Sequence, residues 1–208
     1  MNDRLSFLAV LAIPALWLGM VLLHEEPAGP GGPNTDGMTQ ASDLPPGTNL
    51  GVVMELPLEL RQPNWGGGSC VHASNVMILR WQGLYEMADW WRKTYSGGEY
   101  DTRLTQRLDA AGLRYAYAHN DEKFLMWCIR TRRGAGIFYK PNHSICCVGM
   151  DDTYVYLLDN NDINYPERQG HHERVPREEF FRKWRGYGGF AWTLVYSPLP
   201  PEPHLPRQ

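Results

Sequence analysis

The stretch His143–Asp159 reads HSICCVGMDDTYVYLLD, and its reading decides the fold. Two apolar runs, SICCVGM and TYVYLLD, are joined by MDDTY, which has the acidic turn chemistry of a hairpin. In an antiparallel hairpin the start of the first strand lies beside the end of the second. His143 and Asp159 are then neighbours in space, and Asn160 or Asp162 takes the place of Asp159 if the register slips by one or two. Cys146 and Cys147 project to opposite faces of their strand and so do not pair with each other.

Upstream, GGGSCVHAS (Gly66–Ser74) raises the complementary question. Cys70 follows a glycine run and opens CVHASNVMILRWQG, which is apolar on nearly every face and ends at Gly83; it predicts a buried helix. A cysteine attacks as its thiolate, and a helix N-terminus stabilises that anion through its unpaired N–H groups and its dipole. Gly68 and its neighbours let backbone approach a substrate closely. A second group must pair with the sulfur and hand its proton on, and histidine suits that task. A third must hold the imidazole's tautomer. Cys70, His143 and Asp159 supply these three roles. Trp65 is placed either to shape a substrate cleft beside Cys70 or to cap the core. His72 reads as a packed or solvated histidine rather than part of the site.

The remaining elements follow from periodicity and caps. LYEMADWWRKTY and DTRLTQRLDAAG read as helices, the second capped by Asp101 or Thr102 and stopped by Gly112. LRYAYAH alternates like a strand, DEKFLMWCIRTRRG is an amphipathic helix whose RTRRG end reads as solvated, and AGIFYK is a strand. PREEFFRKW is a short helix and GFAWTLVYS a closing strand. Helices precede most of the sheet, which predicts an α+β fold with segregated layers.

Composition bounds the rest. The chain has 208 residues, 43% of them hydrophobic, and a net charge of -3 with no long basic run, so nucleic acid is not an expected partner. Ser6–Leu23 is uncharged and apolar; as a helix it rises roughly 27 Å, enough to cross a hydrocarbon core. Arg4 before it and Glu25 and Glu26 after it keep the N-terminus in the cytoplasm. GMVLLHEE offers no A-x-A pattern for signal cleavage, which favours an uncleaved signal anchor at 1–23 over a secreted form. A Pro/Gly-rich linker (24–50), one domain (51–197) and an extended tail (198–208) complete the organisation. Cys70, Cys128, Cys146 and Cys147 form no C-x-x-C pair, although a bridge from Cys128 to Cys146 or Cys147 stays open. His171 and His172 have no ligand partner at a characteristic spacing, so no metal is expected.

The order Cys, His, Asp, with Cys opening a buried helix and His opening a strand, resembles the papain-like cysteine peptidases. HSICCVGMDDTYVYLLD is most similar to the double-glycine (bacteriocin-leader) peptidase branch, as are FLMWCIRTRRGAGIFYK before it and REEFFRKWRGYGGFAWTLVY after it. The likeness spans most of Arg61 to Tyr196. It implies a papain-like fold, with the nucleophile on a central helix packed against a C-terminal antiparallel sheet. It also implies a thioester intermediate, a peptide or protein substrate, and no cofactor. Two positions depart from the pattern. The residue after the nucleophile is Val71 rather than Gly, and the position six before it, where the family carries an oxyanion-binding Gln, is Asn64, which can donate the same hydrogen bond from a shorter arm. Gln62 lies two residues further back and reaches in if the glycine loop bulges. An inactive, tethered binding module and a transglutaminase-like acyltransferase are the alternative readings.

Overall fold

The computed structural model describes residues 51–168 and 172–196. The membrane helix predicted at 1–23, the linker at 24–50, the tail at 198–208 and His171 lie outside them. Among the described residues no helix is long and apolar enough to cross a membrane.

The centre is a six-stranded antiparallel sheet of order β1-β6-β2-β3-β4-β5. Its strands are β1 (Tyr115–His119), β2 (Ala135–Lys140), β3 (His143–Met150), β4 (Tyr154–Leu158), β5 (Glu173–Pro176) and β6 (Phe190–Leu194). Turn chemistry fixes the two hairpins around β3. Between β2 and β3 the connection is Pro141 followed by Asn142 at φ 52°, the residue types a type II turn asks for. Between β3 and β4, Asp151 Oδ1 accepts the N–H groups of Thr153 (2.8 Å) and Tyr154 (2.7 Å), a side-chain-closed turn. Cys146 then sits opposite Leu158, so the chain leaving β4 returns beside the start of β3.

Helices cover both faces. α1 (Cys70–Trp81) packs on the sheet together with α2 (Tyr85–Thr94) and α3 (Asp101–Ala110); α4 (Glu122–Arg130) and α5 (Arg177–Gly186) pack on the other face. Strand alternation makes this possible. Cys146 and Val148 join the core of α1, whereas Ile145 and Cys147 join the core of α4 and α5. α1 has no polar face because sheet and helices enclose it. Trp192 Nε1 ties it to the sheet by donating to Asn75 Oδ1 at 3.0 Å. All four cysteines are free thiols.

The fold is the α+β arrangement expected from the sequence, with α1 packed against an antiparallel sheet and α4 and α5 forming a further layer on its other face. Two details differ from the sequence reading. β5 forms from a short charged stretch to which the sequence assigns no element. The RTRRG turn is only partly solvated, because Arg133 is buried, donates to the Leu194 carbonyl (3.4 Å) and lies over the Trp127 ring.

Candidate active site

Gly66, Gly67 and Gly68 all take left-handed backbone, with φ 80°, 59° and 83°. The last is obligatory on two counts, since a Cβ on Gly68 would lie 2.6 Å from the Gly98 nitrogen. The loop therefore packs backbone on backbone against Gly97 and Gly98 and delivers Cys70 as the first residue of α1. The Cys70 N–H belongs to the first turn, whose donors the helix cannot pair internally.

The hairpin brings the rest. His143 Nε2 bonds Asp159 Oδ1 at 2.8 Å, and Asn161 Nδ2 stands 3.3 Å from the same nitrogen. The same ring interacts with the Cys70 sulfur; by hydrogen bonding and charge the ring lowers the thiol's pKa and the sulfur raises the ring's. The sulfur also receives the Ser144 N–H at 3.4 Å and lies 3.7 Å and 3.9 Å from the Gly68 and Asn142 carbonyls. Burial pushes the Cys70 thiol up, but the hydrogen bonds from His143 and Ser144 and the imidazolium charge outweigh it, and its pKa is lowered. Burial likewise disfavours the His143 cation, yet the Asp159 and Cys70 contacts raise its pKa to about 9. Asp159 is nearly buried; its bonds from His143, the Asn161 N–H and Lys140 overcome that desolvation and hold it at about 2. Both shifts, Cys70 downward and His143 upward, favour a thiolate–imidazolium pair.

Sequence reasoning treated Asn160 only as a spare for Asp159. It is fully buried, and its Nδ2 donates to the Cys70 carbonyl (3.1 Å), Ser74 Oγ (3.0 Å) and the Ser144 carbonyl (2.8 Å). One amide thus ties Cys70 to the strand that carries His143. No local pattern announces this, because it depends on α1 lying against β3.

A cavity of about 540 Å³ opens beside Cys70 and His143, walled by Gly68, Gly98, Phe138 and Lys140. Gly68 is therefore at the cleft; Trp65, Gln62 and Asn64 are not among its lining residues. Trp65 is 66% exposed, and the Arg92 guanidinium lies 3.4 Å from its ring. Gln62 is buried, with Nε2 donating to the Pro63 carbonyl at 3.2 Å. Asn64 Nδ2 donates to Asn161 Oδ1 (2.9 Å), and its Oδ1 accepts from Gly66 N (3.0 Å) and Ser69 Oγ (2.7 Å). Among the described residues no group of three His, Cys, Asp or Glu is arranged to hold a metal ion.

No family model matches the chain, and no curated protein matches it. Among solved structures it is similar to the crystal structure of a double glycine motif protease from an AMS/PCAT transporter in complex with the leader peptide. The identity is 17% over 64% of this chain and 89% of that one, with a TM-score of 0.44. The chemistry assigned to this chain rests on its own residues.

Proposed function

We propose that the protein is a papain-like thiol hydrolase that cleaves peptide (amide) bonds, held at a membrane by its N-terminal apolar segment with the domain outside the cytoplasm. One observation supports the reading: His143 is bonded at Nε2 to Asp159 at 2.8 Å and shares one cavity with a cysteine at a helix start, with which it interacts. The Cys70 thiolate attacks the carbonyl carbon; a C–S bond forms and the carbonyl π electrons move onto oxygen. The Cys70 N–H donates to that oxyanion. The C–N bond then breaks as the His143 proton passes to the leaving amine, and a thioester remains. Neutral His143 takes a proton from water, hydroxide adds to the thioester, and the C–S bond breaks to return thiolate and imidazolium. Gln62 is the better second oxyanion donor of the two amides, since one 3.2 Å bond holds its Nε2 whereas the Asn64 amide is committed at both ends.

Iodoacetamide labelling tests the nucleophile. Cys128, Cys146 and Cys147 are fully buried, so alkylation of the native chain reports Cys70. The full-length chain is expected to alkylate readily at pH 6, and His143→Ala to lose that reactivity. Equal, slow labelling of both would overturn the reading. A binding module is the second reading, favoured by the placement of both amides outside the cleft lining. An alkylating Cys70 that forms no thioester with any peptide of a random library would decide for it.

A further inference from the structure

Lys140 closes β2 and stands opposite His143 in the sheet, after a register shift between Phe138 and Lys140. Its Nζ donates to Asp159 Oδ2 at 3.0 Å and to Glu173 Oε2 at 3.3 Å. The Asp159 carboxylate is thus divided. Oδ1 takes His143 Nε2 (2.8 Å) and the Asn161 N–H (2.9 Å), and Oδ2 takes the lysine. A half turn about Cβ–Cγ would exchange the oxygens, and the lysine on Oδ2 opposes that turn. A lysine on its four-carbon stem is a poor anchor by itself. Here it is tethered at a second point, by a carboxylate on β5, the strand that the sequence concealed.

We propose that Lys140 is a positioning residue: clamped by Glu173, it holds the Asp159 carboxylate in the rotation that keeps Oδ1 on His143. This rests on the hydrolase reading, because it assigns Lys140 a part in that same site. The charged groups concerned alternate in sign from β5 to α1: Glu173, Lys140, Asp159, His143, Cys70. The clamp also supplies the counter-charge that a carboxylate only 5% exposed requires.

A lysine acting merely as a nearby cation predicts the opposite sign from a lysine acting as a clamp. Removing a cation favours the imidazolium and raises the His143 midpoint; releasing Asp159 withdraws the imidazolium's partner and lowers it. The test is the titration of His143 by NMR in the full-length chain, for the wild type, Lys140→Met, Lys140→Arg and Glu173→Gln, beside Cys70 alkylation at pH 6. In Lys140→Met the midpoint is expected to fall by about one unit or more and alkylation by about tenfold. Lys140→Arg retains both, and Glu173→Gln falls part of the way. A midpoint that stays or rises in Lys140→Met overturns the clamp. Should Lys140→Met fail to fold by circular dichroism, Glu173→Gln decides, and an unchanged midpoint there overturns it. A wild-type midpoint near 6.5 with no alkylation at pH 6 overturns the hydrolase reading instead.

Discussion

Two histidines lie close to Cys70 and are driven in opposite directions. His72, two residues along α1, is fully buried and held at about 4, by desolvation first and then by the charges of Arg107 and Arg92. His143 is raised to about 9. Each has a carboxylate in reach. Asp159 bonds His143 at 2.8 Å, whereas Glu99 stands 3.7 Å from His72 and is itself taken by Arg107 and Arg103. His72 Nδ1 accepts the Trp91 indole N–H at 3.2 Å, a bond that only a neutral ring with its proton on Nε2 can make. What separates the two rings is therefore the carboxylate's distance and the cations already using it. One ring is fixed neutral as packing, and the other is kept charged beside a sulfur.

Removing the nearer carboxylate should erase the contrast, and this is the largest effect expected. Asp159→Asn leaves the volume but takes the charge from His143. The imidazolium then loses its partner, and Cys70 its thiolate at neutral pH. Amide hydrolysis is expected to drop about 10³-fold or more, by analogy with other orienting carboxylates. The pH at which iodoacetamide labelling begins should move up toward that of an ordinary thiol. Labelling that still begins below pH 7 in Asp159→Asn would break the comparison at its strongest point.

The neutral ring carries the next prediction. The folded pKa of His72 lies below its unfolded value, so the unfolded chain binds a proton that the folded one refuses. The stability contributed is full above about pH 6.5 and is lost as pH falls through about 4. A shift of that size corresponds to about 3 kcal/mol. The sign for His143 is reversed: its contribution is full below about 6.5 and is lost as pH rises through about 9. Urea unfolding from pH 7 to pH 4 should show a steep acid loss that His72→Gln flattens, while alkylation of Cys70 at pH 6 persists. A slope identical in wild type and His72→Gln would deny His72 this role.

Asn160→Leu tests whether geometry or charge maintains the active pair. It removes the buried amide that donates to the Cys70 and Ser144 carbonyls and to Ser74 Oγ, with a cost of about 2 kcal/mol. Cys70 labelling at pH 6 should slow about tenfold although Asp159, His143 and Lys140 are all present. Loss of stability with an unchanged labelling profile would confine Asn160 to holding the fold.

How much of this was legible in the sequence depends on whether the determining contact is local. The hairpin was readable because strand period and turn chemistry lie within His143–Asp159, and the same register brings the histidine and its carboxylate together. α1 was readable from its all-round apolarity. β5 was not: ERVP shows no alternation and becomes a strand only by pairing with β4. Arg133 looked like part of a solvated helix end, but the carbonyl of Leu194 reaches it from distant β6, and it folds back over the ring of Trp127 in α4. The Asn160 and Lys140 contacts are likewise tertiary. Trp65 is the instructive case, since proximity in sequence to Cys70 suggested the cleft. The left-handed glycines turn the chain between the two, and the indole lies over Arg92 instead.

That stacking yields the smallest and sharpest prediction. Arg92 is only 6% exposed, and none of its three guanidinium nitrogens has a hydrogen-bond partner among the described residues. The Trp65 ring covers it at 3.4 Å, an arrangement that contributes about 1 kcal/mol when the cation is desolvated. Arg92 is also one of the two cations that hold His72 down. In Trp65→Ala water reaches the guanidinium, the local dielectric rises, and the charge acts on His72 more weakly. The His72 midpoint should therefore rise by a few tenths of a unit, on the order of 0.5 kcal/mol, while that of His143 stays where it was. A His72 midpoint that does not move in Trp65→Ala would mean that Arg92 acts on this ring through neither charge nor cover. Burial and Arg107 would then have to hold the neutral histidine by themselves.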